Sequence, residues 1–332
     1  MGLKEYVVKR IVYSVILIFA ALTVNFIIFS MLPGDPLEAY MAKMAQTTGM
    51  TEERYLALRA ELGLDMPLHE RYLNYIQNML TWNFGRGEIG GGQTVTQMIT
   101  QRLPNTLILL GTEAVFSIII GVLIGVLVAH KRGGLFDTAT VTASLATYSV
   151  PIFFIGWLML FFFAVQLKWF PLGGIQPRAW GRTPPTSIFE FLAGRISCLV
   201  LPTITLFLFS VGGWILLSRA CVLETITEDY VVTARAKGLK ERTVLYKHVL
   251  KNASLPLITS VAMTFGFLIS GAIITETLFS YNGMGLLMWN ALHPPDLPVL
   301  QAIFYVIALT VIAANFIADL LYGVVDPRIK YG

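Results

Sequence analysis

Residues 229–258 read DYVVTARAKGLKERTVLYKHVLKNASLPLI. Six Lys or Arg and His248 lie here between two long apolar runs, and Gly238 interrupts an otherwise helical pattern. Tyr230, Ala234 and Gly238 are four residues apart, which puts them on one helix face. Ala234, Ala236 and Gly238 are small, so another surface can approach the backbone there. Gly238 suits the position after a helix end, where the left-handed conformation costs glycine little, and Leu239 is placed for the accompanying apolar contact. Val244, Leu245, His248 and Val249 suggest a second short helix over 241–251, and Ser254 with Pro256 mark the start of the next apolar run. Basic residues alone would serve to fix membrane orientation. They would not need a small-residue face or a glycine knuckle, and both features fit a knob that docks on a cytoplasmic partner.

Around this stretch the chain is greasy. It has 332 residues, of which 55% are hydrophobic and 13% charged, against about 25% charged in soluble domains. Such a chain cannot cover a globule with polar surface, so it belongs in a membrane. Six stretches reach the roughly 20 apolar residues that a spanning helix needs: 10–32, 104–129, 138–165, 198–219, 256–280 and 300–322. The first follows KEYVVKR and precedes MLPGDPLEAYMAK, which offers no small-residue cleavage site, so it reads as a retained helix. The two cysteines, Cys198 and Cys221, form no CxxC, and a disulfide framework or zinc site is not expected.

Lys and Arg in the short loops set the orientation. One side receives Lys4, Lys9, Arg10, Lys131, Arg132, the seven from Arg219 to Lys251, Arg328 and Lys330. The other receives Lys168, Arg178, Arg182 and Arg195, and none in 281–299. Both termini are therefore expected in the cytoplasm. The expected organisation is a cytoplasmic N-terminus and first span (1–33), an extracytoplasmic segment (34–93), a five-helix membrane domain (94–322) with a cytoplasmic loop at 220–255, and a cytoplasmic tail (323–332). In the extracytoplasmic segment, Thr51 before Glu52 and Glu53 reads as a helix start and Gly63 as its close. Pro67 opens another helix, with Leu68, Tyr72, Ile76 and Leu80 about one turn apart. GRGEIGGG at 85–92 reads as a flexible loop, not a phosphate loop, because no Gly-Lys-Ser/Thr follows.

Few polar groups lie inside the spans. Glu113 sits in the second, where an ionisable group costs roughly 3 kcal/mol to insert. It reads either as a proton relay or substrate contact or, preferably, as a hydrogen bond to a neighbouring helix. Glu276, near the outer end of the fifth span, either lines a pathway or latches the following turn. Asp319 either reaches the cytoplasmic interface or pairs with a basic residue. Tyr148, Ser149 and Pro151 lie inside the third span, where a proline frees backbone groups and opens space along a pathway. Trp169 and Phe170 read as interfacial anchors. His69, His130, His248 and His293 share no ligand spacing, so no metal site is expected. No catalytic triad, HExxH, paired carboxylates or Walker motif emerges, and the chain is not expected to be an enzyme or to hydrolyse ATP itself.

TARAKG with a downstream Leu-Pro resembles the EAA loop of binding-protein-dependent ABC importer permeases. Val232 and Thr233 stand where that pattern has Glu and the first Ala; Ala234 and Gly238 match. MLPGDP (31–36), ELGLDMPL (61–68), QRLPNTLIL (101–109), SVPIFFIGWLMLFFFAV (149–165), GAIITETLFSYNGMG (271–285), DLPVLQA (296–302) and DPRIKYG (326–332) resemble one branch, the first permease subunit of oligopeptide, dipeptide and nickel importers. Asn282 stands where the branch has Pro, and Asn tolerates the same turn.

The resemblance implies an all-α membrane protein with six transmembrane helices of the type I ABC importer permease fold and a small helical extracytoplasmic insertion after helix 1. It implies ATPase docking through Asp229, Tyr230, Thr233, Ala234, Arg235, Ala236, Lys237, Gly238 and Leu239. It also implies a multi-pass protein of the cell membrane, among lipids and without nucleic acid. The implied partners are a second homologous permease subunit, two cytoplasmic ATPases that bind ATP and Mg, and an external binding protein. The substrate would be a peptide, or secondarily a nickel chelate, moved by alternating access. The rival is an ion-coupled secondary transporter using Glu113, Glu276 and Asp319; inverted repeats would mark it, and the sequence shows none.

Overall fold

The computed structural model describes residues 3–31, 65–267, 272–293 and 295–325. MLPGDP after Met31, the helix expected from Thr51 to Gly63 and DPRIKYG lie outside them. The described chain is mostly helical, as lipid requires of a backbone that must satisfy its own polar groups. In order, the helices are α1 (Leu3–Ser30), α2 (Leu68–Leu80), α3 (Val95–His130), α4 (Leu135–Ser149), α5 (Ile152–Met159, continued by a π-helical stretch Leu160–Gln166), α6 (Ile188–Thr225), α7 (Asp229–Ala236), α8 (Glu241–Thr243), α9 (Leu250–Phe267), α10 (Ile273–Leu278), α11 (Met284–Ala291) and α12 (Leu297–Val325).

Among the described residues, four helices are long and apolar enough to cross a bilayer: Glu5–Ser30, Val95–His130, Ile188–Thr225 and Leu297–Ile317. At 1.5 Å per residue, α3 and α6 run to about 55 Å, well past a hydrocarbon core of about 30 Å. The expected third span, 138–165, is not one straight helix. It is α4 and the α5 run, bent by 96°. The cause is Pro151, which clashes with helical geometry at the residue before it. Val150 is extended (φ −80°, ψ 128°) and Pro151 caps α5 instead of continuing α4.

The fifth expected span also differs. It does not start at Ser254 and Pro256. A π-helical stretch, Val244–Val249, joins α8 to α9, so 241–267 is one helical run with Pro256 inside it. Ser254 Oγ donates to the Lys251 carbonyl (2.7 Å) and caps nothing. Residues 268–271 lie outside the description, and α10 follows.

The chain divides into two compact units: Met1–Pro104 with Gly283–Gly332, and Asn105–Asn282. In the first, α1 packs along α12. Asn25 is buried and donates to Tyr75 OH (2.8 Å) and the Gln301 carbonyl (3.0 Å), which satisfies an amide that would be costly to bury unpaired. Phe29 lies against Phe304, and Arg10 pairs with Asp319 at 2.7 Å. Helix α2 starts after Pro67 as expected, but its buried residues are Tyr75 and Met79, while Leu68 and Leu80 stay exposed. Phe26 of α1 selects that face by packing on Tyr72 and Tyr75. The 85–92 stretch, expected to be flexible, holds a 3₁₀ turn, Glu88–Gly90, and Ile89 N–H donates to Asp296 (3.1 Å). The opposite side of α1, from Val8 through Phe19, stays uncovered by the chain, as suits a lipid-facing helix.

In the second unit α3 crosses α6 closely. Gly121 and Gly125 form a Gly-x-x-x-Gly step, which lets membrane helices approach at the backbone. A Cβ on Gly121 would lie 2.4 Å from Trp214 Cβ, and one on Gly125 2.7 Å from the Ile215 carbonyl oxygen. Ser218 Oγ donates to the Val122 carbonyl across the crossing (3.2 Å).

Candidate coupling site and intramembrane polar groups

Helix α7 and the turn after it belong to the second unit. Val231 and Ala234 face inward. They pack with Val126 and Ala129 of α3, Cys221 and Val222 of α6, and Val244, Val249, Ala253 and Leu257 of the following run. Ala234, expected on the approach face with Tyr230 and Gly238, is only 5% exposed, and its small size admits α7 to its own support. The four-residue spacing fails because α7 ends at Ala236, so Gly238 is not on the same helix. The outward surface is Asp229, Tyr230, Val232, Thr233, Arg235, Ala236, Lys237, Gly238 and Leu239. Val232, at 57% exposure, escaped the sequence reading. The inward pair, Val231 and Ala234, is the periodic signal that would have turned it outward.

Gly238 has φ +74°, the left-handed conformation expected after a helix end. Its N–H donates to the Arg235 carbonyl (2.9 Å), and Lys237 N–H donates to the Thr233 carbonyl (3.1 Å). A Cβ at 238 would meet nothing within 4 Å, so the turn is open to an incoming surface. Arg235 spans it with a two-pronged contact to Glu241: Nη2 to Oε1 at 2.7 Å and Nε to Oε2 at 3.3 Å. That hydrogen bond holds the Glu241 carboxyl below its ordinary pKa. Nothing in the linear pattern signalled this strap, since its partners are six residues apart with a break between them.

The intramembrane polar groups fall in separate places. Glu113 is buried. Ser117 Oγ, one turn along α3, donates to its Oε1 (2.6 Å), and Ser210 Oγ of α6 donates to the same oxygen. Glu276 is fully buried in α10 and accepts from Thr106 Oγ1 (2.7 Å), while its carbonyl accepts from Tyr281 N–H (2.7 Å). Asn105 links the same region: Arg195 donates to its Oδ1 (3.0 Å), and its amide donates to the Asn282 carbonyl (2.8 Å). Tyr148, Ser149 and Pro151 sit at the bend between α4 and α5. The Tyr148 ring is exposed on one face and stacked on Phe209 on the other (6.0 Å).

Residues 121–331 match the family model described as the binding-protein-dependent transport system inner membrane component. Residues 3–110 match the model for the N-terminal part of membrane components of the same systems. The chain belongs to this family. Among similar proteins, the di/tripeptide transport system permease of Pseudomonas aeruginosa is 34% identical, with 98% of this chain and 99% of the relative covered. The dipeptide transport system permease of Escherichia coli K12 is 33% identical, with the same coverage. The oligopeptide transport system permease of Bacillus subtilis is 32% identical, covering 99% of this chain and all of the relative. Among solved structures, inward-facing conformations of the methionine ABC transporter MetNI match with a TM-score of 0.54 over 69% of this chain and 97% of that one. At 16% identity that likeness speaks to fold alone, and the fold is that of a type I ABC importer permease. The inner membrane component is a multi-pass protein of the cell membrane and a transport subunit, not an enzyme.

Proposed function

We propose that the chain is the membrane-spanning subunit of an ATP-driven importer of di- or oligopeptides. The observation that carries this reading is 32–34% identity along essentially the whole chain to permeases named for dipeptides, di/tripeptides and oligopeptides. In this reading a second permease subunit completes the pathway, two cytoplasmic ATPases bind ATP and Mg²⁺, and an external binding protein delivers the peptide. The docking knob is the outward surface from Asp229 to Leu239, with Ala234 supporting it from within. Its exposure, its basic charge and its packed footing support that role. The loop 220–255 and both termini face the cytosol and the 34–93 segment faces outside, a polarity supported by the distribution of Lys and Arg.

ATP-driven closure of the ATPases moves the knob, and the helices rock between inward-facing and outward-facing states. Tyr148, Ser149 and Pro151 border the pathway at the bend. Glu276, buried against Thr106, latches the segment after α10. The test is uptake of a labelled dipeptide and a labelled pentapeptide by proteoliposomes carrying the permease pair, ATPases and binding protein. Uptake is expected to require ATP and to survive a protonophore. Peptide uptake that continues without the ATPases and collapses with the proton gradient would overturn the reading.

A further inference from the structure

Asp137 and Arg219 meet in a part of the second unit that the coupling knob does not include. Asp137 lies in the first turn of α4 and is 5% exposed. Arg219 lies near the end of α6, two and three residues before Cys221 and Val222, on which α7 rests. Arg219 Nε donates to Asp137 Oδ1 (2.7 Å) and Nη2 to Oδ2 (3.0 Å). Gly133 N–H, in the turn that leads into α4, donates to Oδ2 as well (2.9 Å). A planar fork on a carboxylate fixes direction as well as distance.

The pair is the first of three contacts along one antiparallel seam. Seven residues up α4 and seven down α6, a Cβ on Gly212 would lie 2.7 Å from the Ser144 carbonyl oxygen, so the two backbones touch. Four residues further up α4 and three further down α6, Tyr148 stacks on Phe209 (6.0 Å between centroids, 17° between planes). Ser149 and the 96° bend follow at once. The seam therefore starts beside the footing of the knob and ends at the bend. Its middle contact is a close backbone approach and its upper contact a ring stack. The charged fork adds a directional, two-pronged tie between the two helices.

We propose that Asp137 and Arg219 are a positioning pair that carries movement of the 220–255 loop through α6 into α4 and the bend at Ser149–Pro151. The inference rests on the importer reading above. Without the fork, α6 still moves with the knob, but α4 no longer follows, so nucleotide is consumed without peptide crossing. The pair acts through other groups and touches neither nucleotide nor peptide.

The experiment measures peptide uptake per ATP hydrolysed in proteoliposomes of assembled complexes, so the quotient does not depend on how much complex forms. Asp137→Asn keeps an acceptor for Gly133 N–H and removes the fork; Arg219→Gln removes it from the other side. Each is expected to lower the quotient about fivefold or more, the lower end of typical coupling between sites, while ATP hydrolysis continues. The double variant is expected to lose no more than either single one, since the two act as a unit. Wild-type quotients in both single variants would overturn the inference. If neither assembles, Asp137→Glu, which keeps the charge and alters the reach, is read by the same criterion. A wild-type complex that takes up no peptide with ATP would instead refute the importer reading.

Discussion

Arg235 grips Glu241 across the turn at Gly238, Nη2 to Oε1 at 2.7 Å, and so joins the end of α7 to the start of the next helical run. Both side chains are about 40% exposed, which limits the contact to about 0.2–1 kcal/mol after solvent screening. The Glu241 carboxyl is held below its ordinary pKa by this hydrogen bond. A depressed acid adds stability above its unfolded pKa and loses it as pH falls through the folded value. We predict that Glu241→Gln raises hydrogen exchange across 235–244 by up to about fivefold at pH 7. The difference should shrink as pH falls below the ordinary glutamate range and through the depressed value of this carboxyl, where the wild-type group also protonates. An unchanged exchange rate at pH 7 would show that the turn holds without the strap.

The α3–α6 crossing predicts opposite outcomes for two glycines on one helix. At Gly125 a methyl would meet the Ile215 carbonyl oxygen at 2.7 Å and Ser218 Cβ at 2.6 Å, and a backbone atom cannot rotate away. Gly125→Ala is expected to destabilise by about 1–3 kcal/mol. At Gly111 a Cβ meets nothing within 4 Å, so Gly111→Ala should be neutral or stabilise by up to about 1 kcal/mol through helix propensity. Thermal unfolding of the purified subunit distinguishes them. Equal midpoints would mean the crossing is looser than described.

Four of the six expected spans coincide with long apolar helices among the described residues, because apolar runs of about 20 residues have few other uses. The knuckle at Gly238 was visible because a lone glycine between helical stretches is a local signal, and its φ of +74° needs no tertiary information. The bend at Pro151 was half visible. Proline announces a break, but only the docking of α5 gives its angle. Ala234 was grouped with Tyr230 by spacing alone, whereas packing against α3, α6 and the following helical run turns Ala234 inward and leaves Tyr230 exposed. The partners of Asp137, Glu113 and Asn25 on other helices lie 82, 97 and 50 residues away, respectively, and no local pattern encodes them.

Glu113 gives a third prediction. Its Oε1 accepts from both Ser117 and Ser210, and a glutamine keeps that oxygen while removing the charge. Glu113→Gln is therefore expected to retain most ATP-driven uptake. Glu113→Leu removes the acceptor shared by the buried Ser117 hydroxyl and the partly buried Ser210 hydroxyl and is expected to lower complex stability by about 1–3 kcal/mol. Complete loss of uptake in Glu113→Gln with normal assembly would point to proton coupling.

Topology can be checked with single cysteines in a background lacking Cys198 and Cys221. Gln93 and Lys240 are exposed and lie outside the spans, so each tolerates the change. An impermeant thiol reagent is expected to label Gln93→Cys in intact cells and Lys240→Cys only after lysis. The reverse pattern would invert the orientation read from the basic residues.

Gly238 allows two causes to be separated. Its φ of +74° strains a β-branched residue by roughly 1–3 kcal/mol, whereas asparagine tolerates that conformation. A Cβ there meets nothing within 4 Å beyond its chain neighbours, so either residue enters open space. Gly238→Val should leave membrane insertion intact, because the spans and their flanking charges are unchanged, yet reduce co-purification of the ATPases and peptide-stimulated ATP hydrolysis. Gly238→Asn is the discriminating variant. If it restores ATPase binding, the glycine serves the turn, and the knob works through Tyr230, Val232, Lys237 and Leu239 around it. If it fails as valine does, the partner surface needs the bare backbone at 238. If both variants bind and stimulate the ATPases like the wild type, the stretch from 229 to 258 fixes orientation and docks nothing.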